Sequence, residues 1–595
     1  MNRLAHTTPL TLARVLAEIP TWTDLAPAYC KRLTTMVRAA PRVLDKPAEA
    51  IRLDAPGVGA RLLKASAAEW GISAKSLPVY RSAVRALLRR LGLIAQRAVA
   101  AASMPEPWRQ LLALVPPGYD SARIVPFAEF CAGCGLLPAS VGTAAVASYM
   151  ADLDSRLAVR DPRRAGRKLV TAWNGCVASI ADWPAPPLVM PPARAKSYTP
   201  PFEAYPASFQ AEIQALRARL SGTREGGLYA EDGEDDAQPL ARPLRPRALT
   251  SRMNVLRLVA GALVLSGRPI ETITSLGHLV EREALRAICS WHWAHAGRKA
   301  SSNTGSIAIT LRMLARHVAR LDEPALRQVI ADTAPLIPPP CREITDKNIR
   351  RLKQFEDPRK LAALLHLPEQ VQQEAEILRE RGLGKQAAWM AGVALGIEIE
   401  LAMPLRLGNL VGLRLGHHLH GVFGRGEMVH VTIPPGEVKN TTTLTFRLGP
   451  DAVAMLRRYL TVFRPLGANA EGDFLFPNRD HGDIARQDNG FGRAIGEAVR
   501  RHIGARLNAH LFRCLAGVLI LRENPDATSD LRLLLGHKSL ETTLRFYALV
   551  CREQAAERHV ARITRLREDS RLLAAATLGG RKIRRGTLSG RGSVR

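Results

Sequence analysis

The sequence predicts a mainly α-helical, multidomain protein with one small β-sheet towards its C-terminal end. Apolar residues recur at helical spacing through most of the first 340 residues. A single stretch, MVHVTIPPGEVKNTTTLTFRL (428–448), alternates apolar and polar residues and is rich in threonine, which predicts a β-hairpin or short meander. At about 150 residues per domain, the length of 595 residues corresponds to several domains.

Composition shifts along the chain predict the order of these domains. The segment 221–247 is acidic in its first half and basic and proline-rich in its second, so it cannot bury enough apolar surface to fold alone. The C-terminal tail is glycine-rich and basic, which predicts disorder. The predicted order is a helical N-terminal domain (1–105), a second helical domain (106–220), a linker (221–247), a third helical domain (248–340), a mixed domain (345–572) and the basic tail (573–595).

The charge balance points to a polyanionic partner. The chain carries 84 Lys and Arg against 54 Asp and Glu, a net charge of +30, and only 14 of the cations are lysine. Such an excess attracts polyanions, so nucleic acid is the leading partner and an anionic membrane the second. An arginine-rich composition can also reflect codon bias, so charge alone does not establish nucleic-acid binding.

The expected location is cytoplasmic, in association with the nucleoid. Eight cysteines are dispersed over the whole chain, which suggests a reducing compartment. The N-terminus lacks a clean apolar stretch, so no signal peptide is expected. No window reaches the roughly 18 apolar residues of a membrane helix; the best candidate, near 388–405, is interrupted by Glu398 and Glu400. The pair Cys131 and Cys134 has no further ligands nearby, so we expect two small buried residues on a helix and no metal.

The most informative segment is NAHLFRCLAGVLILRENPDATSDLRLLLGHKSLETTLRFYALV (508–550). His510 and Arg513 are three residues apart and share one face of a helix. Gly536 is expected to end the next helix as a left-handed C-cap, which places His537 on the turn. Tyr547 then follows about two turns along a further short helix.

This order resembles the C-terminal box of the tyrosine recombinases, also called phage-type integrases: His-x-x-Arg, then Leu-Gly-His, then Thr-x-x-x-Tyr. The family also has an arginine at the end of an apolar helix, and MPLRLGNLVGLRL (403–415) supplies Arg406. It has a lysine on a β-hairpin between the two arginine boxes, and Lys439 matches it. Lys439 is the only lysine between Lys385 and Lys538. After residue 345 the only tyrosines are Tyr547 and Tyr459, and Tyr459 lies in an amphipathic pattern that predicts packing.

The resemblance implies roles for six residues. Tyr547 would attack phosphorus as the nucleophile, and Arg406 and Arg513 would clamp the phosphate oxygens. Lys439 would protonate the leaving oxygen, His510 would act as base or proton relay, and His537 would donate to the phosphate. The family reaction passes through a 3′-phosphotyrosyl link, and neither a cofactor nor a metal is expected.

The resemblance also implies architecture and partners. Residues 345–572 would form the family's α+β catalytic domain and 248–340 its helical, SAM-like core-binding domain, together clamping double-stranded DNA. A homo-tetramer on two DNA sites, accessory DNA-bending proteins and integration or excision of a mobile element are the further expectations. The helix at about 552–572 resembles the element that recombinases donate to a neighbouring subunit.

The sequence departs from the family pattern at two positions. Asn409 replaces the usual acid three residues after the first arginine, and Cys514 stands where a histidine is frequent. The cluster His417, His418 and His420 could suggest a metal, but we interpret it as structural or DNA-facing.

Two other functions remain open at this point. One is a type IB topoisomerase-like relaxing enzyme, against which the Leu-Gly-His box and the helical clamp domain argue. The other is a non-catalytic DNA-binding protein with the same fold, which would need neither Lys439 nor Tyr547.

Overall fold

The structure is a computed structural model. It describes residues 10–577 apart from 56, 94–103, 116–120, 156–160, 193–198, 223–242, 340–343, 425, 427, 439–441, 468, 470, 479, 480, 482, 525, 537–555, 557 and 558. The chain is mostly helical with one small sheet, as predicted. It divides into two compact units, of which one comprises residues 1–189 and 342–595 and the other 190–341.

The N-terminal part of the first unit contains two helical clusters, each with its own apolar core. The first core includes Leu12, Trp70 and Leu88, and the second is built around Trp108, Phe127 and Trp173. The helices of the first cluster are α1 (Leu12–Glu18), α2 (Pro27–Val37), α3 (Ala40–Leu44), α4 (Val58–Lys64), α5 (Ala67–Trp70) and α6 (Leu77–Arg90), and those of the second are α7 (Glu106–Leu114), α8 (Ser121–Gly133), α9 (Thr143–Ser155) and α10 (Pro162–Ser179).

The two cysteines at the end of α8 differ in environment. Cys131 is buried, and burial raises the pKa of its thiol to about 12. Cys134 follows the last residue of the helix and is exposed. The expectation that both are buried is therefore wrong for Cys134, because the helix ends at Gly133 and the chain turns outward there.

The second unit is a helical domain with a single apolar core. Its helices are α11 (Ala207–Ser221), α12 (Pro246–Leu265), α13 (Arg282–His295), α14 (Ser302–His317) and α15 (Glu323–Thr333). Helix α11 contributes Phe209 and Ile213 to this core, so the core begins well before residue 248. In the described part of the chain, α12 is the one helix long and apolar enough to cross a membrane by length and composition, so the expectation that the best candidate lies near 388–405 is wrong. Its apolar residues Leu256, Val259 and Leu263 lie in the core of this domain.

The C-terminal part of the first unit holds the largest apolar core. Its helices are α16 (Asp346–Lys353), α17 (Pro358–Leu365), α18 (Leu367–Glu380), α19 (Gly384–Ala402), α20 (Leu407–Val411), α21 (Pro450–Arg458), α22 (Asp488–Ile503), α23 (Ala509–Glu523) and α24 (Thr528–Leu535). A π-helical segment, Tyr459–Phe463, continues α21. Beyond the last gap, residues 559–569 are helical and a short helix follows at Arg571–Thr577.

Helix α19 forms the centre of this core. Its side chains are buried nearly all round, which is why its sequence is apolar without a polar face. Gly396 allows α22 to approach closely, because a Cβ there would lie 2.7 Å from the ring of Phe491. Helices α22 and α23 therefore pack directly against α19, and α23 is placed near the chain segment that leaves α19.

The sheet has three antiparallel strands in the order β1 (Leu419–His420), β2 (Val429–Ile433) and β3 (Leu444–Leu448). Val431 pairs with Leu419 on one side and Phe446 on the other. The buried side chains Val429, Val431 and Ile433 alternate with more exposed ones, as expected for a sheet with one buried face. The predicted hairpin at 428–448 is confirmed.

A buried acid joins the N-terminal cluster to the C-terminal part of the first unit. Glu69 of α5 is 3% exposed, and its carboxylate is paired with Arg61 and with Arg500 of α22. Gly504, just after α22, lies against the backbone of Ala68, with φ +69°. The two helices therefore meet through an ion pair and a close backbone contact.

Candidate active site

Arg513 is the most firmly held of the predicted site residues. It lies in the second turn of α23, whose N-cap Asn508 accepts a hydrogen bond from the Leu511 amide at 3.0 Å. The side chain is 4% exposed. Its Nη1 donates to the carbonyl of Pro404, and its Nη2 donates to the carbonyl of Leu535 at 2.6 Å. One guanidinium thus joins the segment before α20 to the end of α24.

Arg406 lies two residues beyond Pro404, in the turn between α19 and α20. It is the N-cap residue of α20 and has an extended backbone, and its carbonyl accepts hydrogen bonds from the amides of Asn409 and Leu410. The side chain is half-buried, and burial lowers the pKa of its guanidinium. Its Nη1 has no solvent access and no hydrogen-bond partner among the described residues. A buried charged donor of this kind calls for an anionic acceptor, such as a phosphate oxygen.

His510 lies one turn before Arg513 on the same face of α23, as predicted. Its ring reaches solvent, yet the surrounding protein removes part of its hydration. This desolvation, followed by the positive charges of Arg513 and Arg406, lowers the pKa of its imidazole. Both arginines are therefore close enough to His510 for their charges to act on its ring. A lowered pKa keeps His510 neutral at neutral pH, the form that can accept a proton.

Glu400 is a buried acid beside this cluster that the sequence analysis did not assign to the site. It belongs to α19 and is 1% exposed. Burial raises the pKa of its carboxyl well above 4.5, while the charge of Arg513 acts in the opposite direction. Neither carboxyl oxygen has a hydrogen-bond partner among the described residues. The available sequence signal was an acid within an otherwise apolar helix.

Three predicted site residues fall in segments whose structure is not described: Lys439, His537 and Tyr547. Their described neighbours still bear on the predictions. Val438, directly before Lys439, is fully buried. Gly536, directly before His537, has φ +57° and caps α24 in the left-handed conformation, as predicted. The structure therefore brings together Arg406, His510 and Arg513, and the other three roles stay predictions.

Tyr459, the other tyrosine of this domain, is a packing residue. It is 3% exposed within the largest core, and burial raises the pKa of its phenol. Its ring lies 5.9 Å from that of Phe476, measured between centroids. A side chain so enclosed cannot reach a DNA phosphate without unfolding its surroundings, which agrees with the prediction.

The histidines after the first arginine box contact one acid. His417 and His418 both lie 3.1 Å from the carboxylate of Glu437, and Arg414 donates to the same carboxylate at 3.1 Å. By spacing alone, His417, His418 and Glu437 could hold a metal ion. His420, on β1, is exposed. The interpretation of this cluster as structural is supported for His417 and His418 by their contacts with Glu437.

The comparisons with known proteins bear on the same part of the chain. Residues 367–553 match the phage integrase family. That segment spans the six predicted site residues, Arg406, Lys439, His510, Arg513, His537 and Tyr547. No curated protein matches the chain.

Among the solved structures that are similar to the chain are two recombinases. One is the XerH site-specific recombinase bound to difH substrate in a pre-cleavage complex, with 12% identity, 56% of this chain and 89% of that chain covered, and a TM-score of 0.28. The other is XerA recombinase, with 13% identity, 49% and 92% covered, and a TM-score of 0.21. At such TM-scores these likenesses carry no structural weight.

Proposed function

We propose that this chain, whose residues 367–553 match the phage integrase family, is a site-specific DNA recombinase of the tyrosine type. It cleaves and rejoins DNA through a covalent 3′-phosphotyrosyl intermediate. The observation that carries this proposal is the arrangement of Arg406, His510 and Arg513. Two guanidiniums, one buried and one half-buried, lie near a histidine whose lowered pKa keeps it neutral.

The two arginines bind the scissile phosphate. A phosphodiester carries a full negative charge that repels an attacking oxygen, and two guanidiniums offset that charge as it grows in the transition state. The backbone bonds of Arg513 to Pro404 and Leu535 hold its guanidinium in place before DNA arrives, so little ordering is needed during the reaction.

The chemical step exchanges one phosphodiester for another. The phenolic oxygen of Tyr547 attacks phosphorus, the bond between phosphorus and the 5′ oxygen breaks, and a 3′-phosphotyrosine forms. The proton of the phenol passes to a base, for which neutral His510 is suited. The leaving 5′ oxygen takes a proton from Lys439. Rejoining is the reverse attack by a 5′-hydroxyl, so the bond energy is conserved.

The partner is double-stranded DNA. The net charge of +30 gives a salt-dependent attraction to the duplex, and each phosphate contact should steepen the dependence of log K on log salt by about one unit. We propose a homo-tetramer on two DNA sites, helped by accessory DNA-bending proteins and acting in the cytoplasm on the ends of a mobile element.

A covalent-trapping assay tests the proposed chemistry. A duplex nicked close to the cleavage site loses a short fragment on cleavage, so the protein–DNA adduct cannot be reversed. We expect an adduct with the wild-type protein and with Tyr459→Phe, which alters only a buried packing tyrosine. We expect none with Tyr547→Phe. An adduct of equal yield with Tyr547→Phe would refute the assignment of the nucleophile.

A second assay separates strand exchange from the two alternatives. Two linear duplexes carrying the site should give recombinant products and four-way junctions. Relaxation of plasmids that lack the site, without exchange, would instead identify a type IB topoisomerase-like enzyme. Tight binding without any adduct would identify a DNA-binding protein that has kept the fold.

A further inference from the structure

The carboxylate of Glu437, two residues before Lys439, contacts three side chains. Arg414 Nη2 and His417 Nε2 each lie 3.1 Å from Oε1, and His418 Nε2 lies 3.1 Å from Oε2. Burial alone would raise the pKa of this carboxyl. The hydrogen bond from His417 and the charges of His418 and Arg414 outweigh burial and lower it. The carboxylate is therefore ionised and anchored at neutral pH.

The ring of His418 contacts this anchor through Nε2, 3.1 Å from the Glu437 carboxylate, and is unsuited to a metal ion. Its Nδ1 accepts a hydrogen bond from the Arg414 amide at 3.0 Å, so the proton of the neutral ring lies on Nε2, the atom that faces Glu437. A metal ion would need the lone pair of that atom. His418 is 1% exposed, and its carbonyl accepts from the Thr432 amide of β2 at 2.9 Å, so the ring is fixed against the sheet.

The backbone of Glu437 is hydrogen-bonded to α20. Asn409 Nδ2 donates to the Glu437 carbonyl at 3.1 Å. The amide of the same asparagine donates to the carbonyl of Arg406 at 2.7 Å. One residue thus connects the N-cap arginine of α20 to the chain just before Lys439.

The identity of residue 409 fits this contact. An ionised Asp or Glu accepts hydrogen bonds only and could not donate to a carbonyl, whereas the amide of asparagine can. The family's usual acid at this position would face the Glu437 carbonyl without a bond. Asparagine at position 409, where the family usually has an acid, therefore suits the hydrogen bond that this chain makes to the Glu437 carbonyl.

We propose that Asn409 and Glu437 are positioning residues for the cleavage step: they hold the chain that leads to Lys439, the proposed proton donor, to the turn that carries Arg406. The inference rests on the proposed function, in which Lys439 protonates the leaving 5′ oxygen. Val438, which separates Glu437 from Lys439 in the sequence, is fully buried, so the chain is anchored up to the residue before Lys439. Misplacing a catalytic group by about 1 Å can cost on the order of 100-fold in rate.

The test uses a leaving group that needs no proton donor. In a DNA site whose bridging 5′ oxygen is replaced by sulfur, the leaving thiolate is far less basic than an alkoxide and departs without a proton. The full-length variants are Glu437→Gln, Asn409→Asp and Lys439→Ala. The control is Glu374→Gln, which alters a glutamate paired with an arginine and a histidine elsewhere in the same domain. Adduct formation is timed on the ordinary and the sulfur-containing DNA.

On ordinary DNA, Glu437→Gln and Asn409→Asp should form the adduct roughly 10- to 100-fold more slowly than wild type. On sulfur-containing DNA they should react at close to the wild-type rate, as should Lys439→Ala, and the control should match wild type on both. A defect in Glu437→Gln and Asn409→Asp that persists with sulfur would show a merely structural role and overturn the proposal, as would no defect on ordinary DNA.

Two readings keep the inference separate from the proposed function. If Lys439→Ala is not rescued by sulfur, the assignment of the general acid fails, whatever the other variants do. If Lys439→Ala is rescued and neither Glu437→Gln nor Asn409→Asp is, only the positioning role fails. If the melting temperature of Glu437→Gln is far below that of wild type, its slow reaction could reflect misfolding. The result for Asn409→Asp, a change within the short helix α20, then decides the outcome.

Discussion

Arg513 donates a hydrogen bond to the backbone carbonyl of Leu535 across 2.6 Å. The bond runs from the second turn of α23 to the last residue of α24, immediately before the C-cap Gly536. Arg513 also donates a hydrogen bond to the carbonyl of Pro404. Its buried side chain therefore connects the segment before Arg406 with the segment before His537. The guanidinium that is proposed to bind the phosphate therefore also joins these two segments of the chain.

Replacement of Arg513 by lysine should reduce both stability and cleavage. A lysine keeps the charge but loses the planar fork that reaches two carbonyls, and each hydrogen bond to a charged group is worth about 1.5–3 kcal/mol. We expect Arg513→Lys to lower the free energy of unfolding, measured by denaturant titration, by at least about 1.5 kcal/mol. Arg522→Lys on the same helix alters a surface pair with Glu356 and should cost less than about 1 kcal/mol. Equal effects of the two substitutions would contradict the role given to Arg513.

Replacement of Gly536 by alanine should destabilise the turn that precedes His537. Its φ of +57° costs a non-glycine residue roughly 1–2 kcal/mol, and a Cβ would lie 2.7 Å from Leu444 Cδ2. Gly382 is the matched control, because its φ is +73° and nothing lies within 4 Å of its Cβ position. The melting temperature of Gly536→Ala should fall further than that of Gly382→Ala. Equal shifts would show that the Leu444 contact is unimportant.

Replacement of Glu400 by glutamine should stabilise the protein at neutral pH. The carboxyl of Glu400 has a raised pKa when folded, whereas it ionises near 4.5 when unfolded. Below about pH 4.5 both states keep the proton, so the group has no effect on stability there. Above that pH the unfolded state gains the free energy of ionisation, and wild type loses stability. Glu400→Gln should melt above wild type at pH 7, with the difference shrinking towards pH 4; a variant that melts lower at pH 7 would contradict this.

Removal of the Glu69 carboxylate should loosen the N-terminal cluster from α22. Glu69→Ala leaves Arg61 and Arg500 without their shared acid in a buried setting, which typically costs about 3–5 kcal/mol. Glu497→Ala removes the exposed acid partner of the same Arg500 and should change stability by about 1 kcal/mol or less. Thermal melts and limited proteolysis of the N-terminal cluster measure both effects. Similar behaviour of the two variants would mean that Glu69 does not join these parts.

The sequence predicted the features that local chemistry determines. The β-hairpin followed from alternation at 428–448, the C-cap of α24 from Gly536, and the shared face of His510 and Arg513 from helical spacing. These depend on residues close together in the chain, where periodicity and turn preferences act.

The features that the sequence did not reveal depend on distant segments. Arg406 was expected at the end of an apolar helix, yet it begins the next one, because α19 ends at Ala402 and the chain turns through Pro404. That Arg513 would bind the carbonyls of Pro404 and Leu535, or that Asn409 would bind Glu437, follows only from how these elements pack. Every residue has a backbone carbonyl, so the sequence does not indicate which carbonyl accepts a hydrogen bond from a distant side chain. Only the folded structure shows this.

The most direct test of the central claim is to locate the DNA on the protein. The trapped adduct is digested with nuclease and trypsin, and the peptide that carries the remaining phosphonucleotide is sequenced by mass spectrometry. We predict that the modification lies on the peptide 546–552, FYALVCR, at Tyr547 and through its phenolic oxygen. A phosphonucleotide on Tyr459, on a serine or on any other residue would contradict the account.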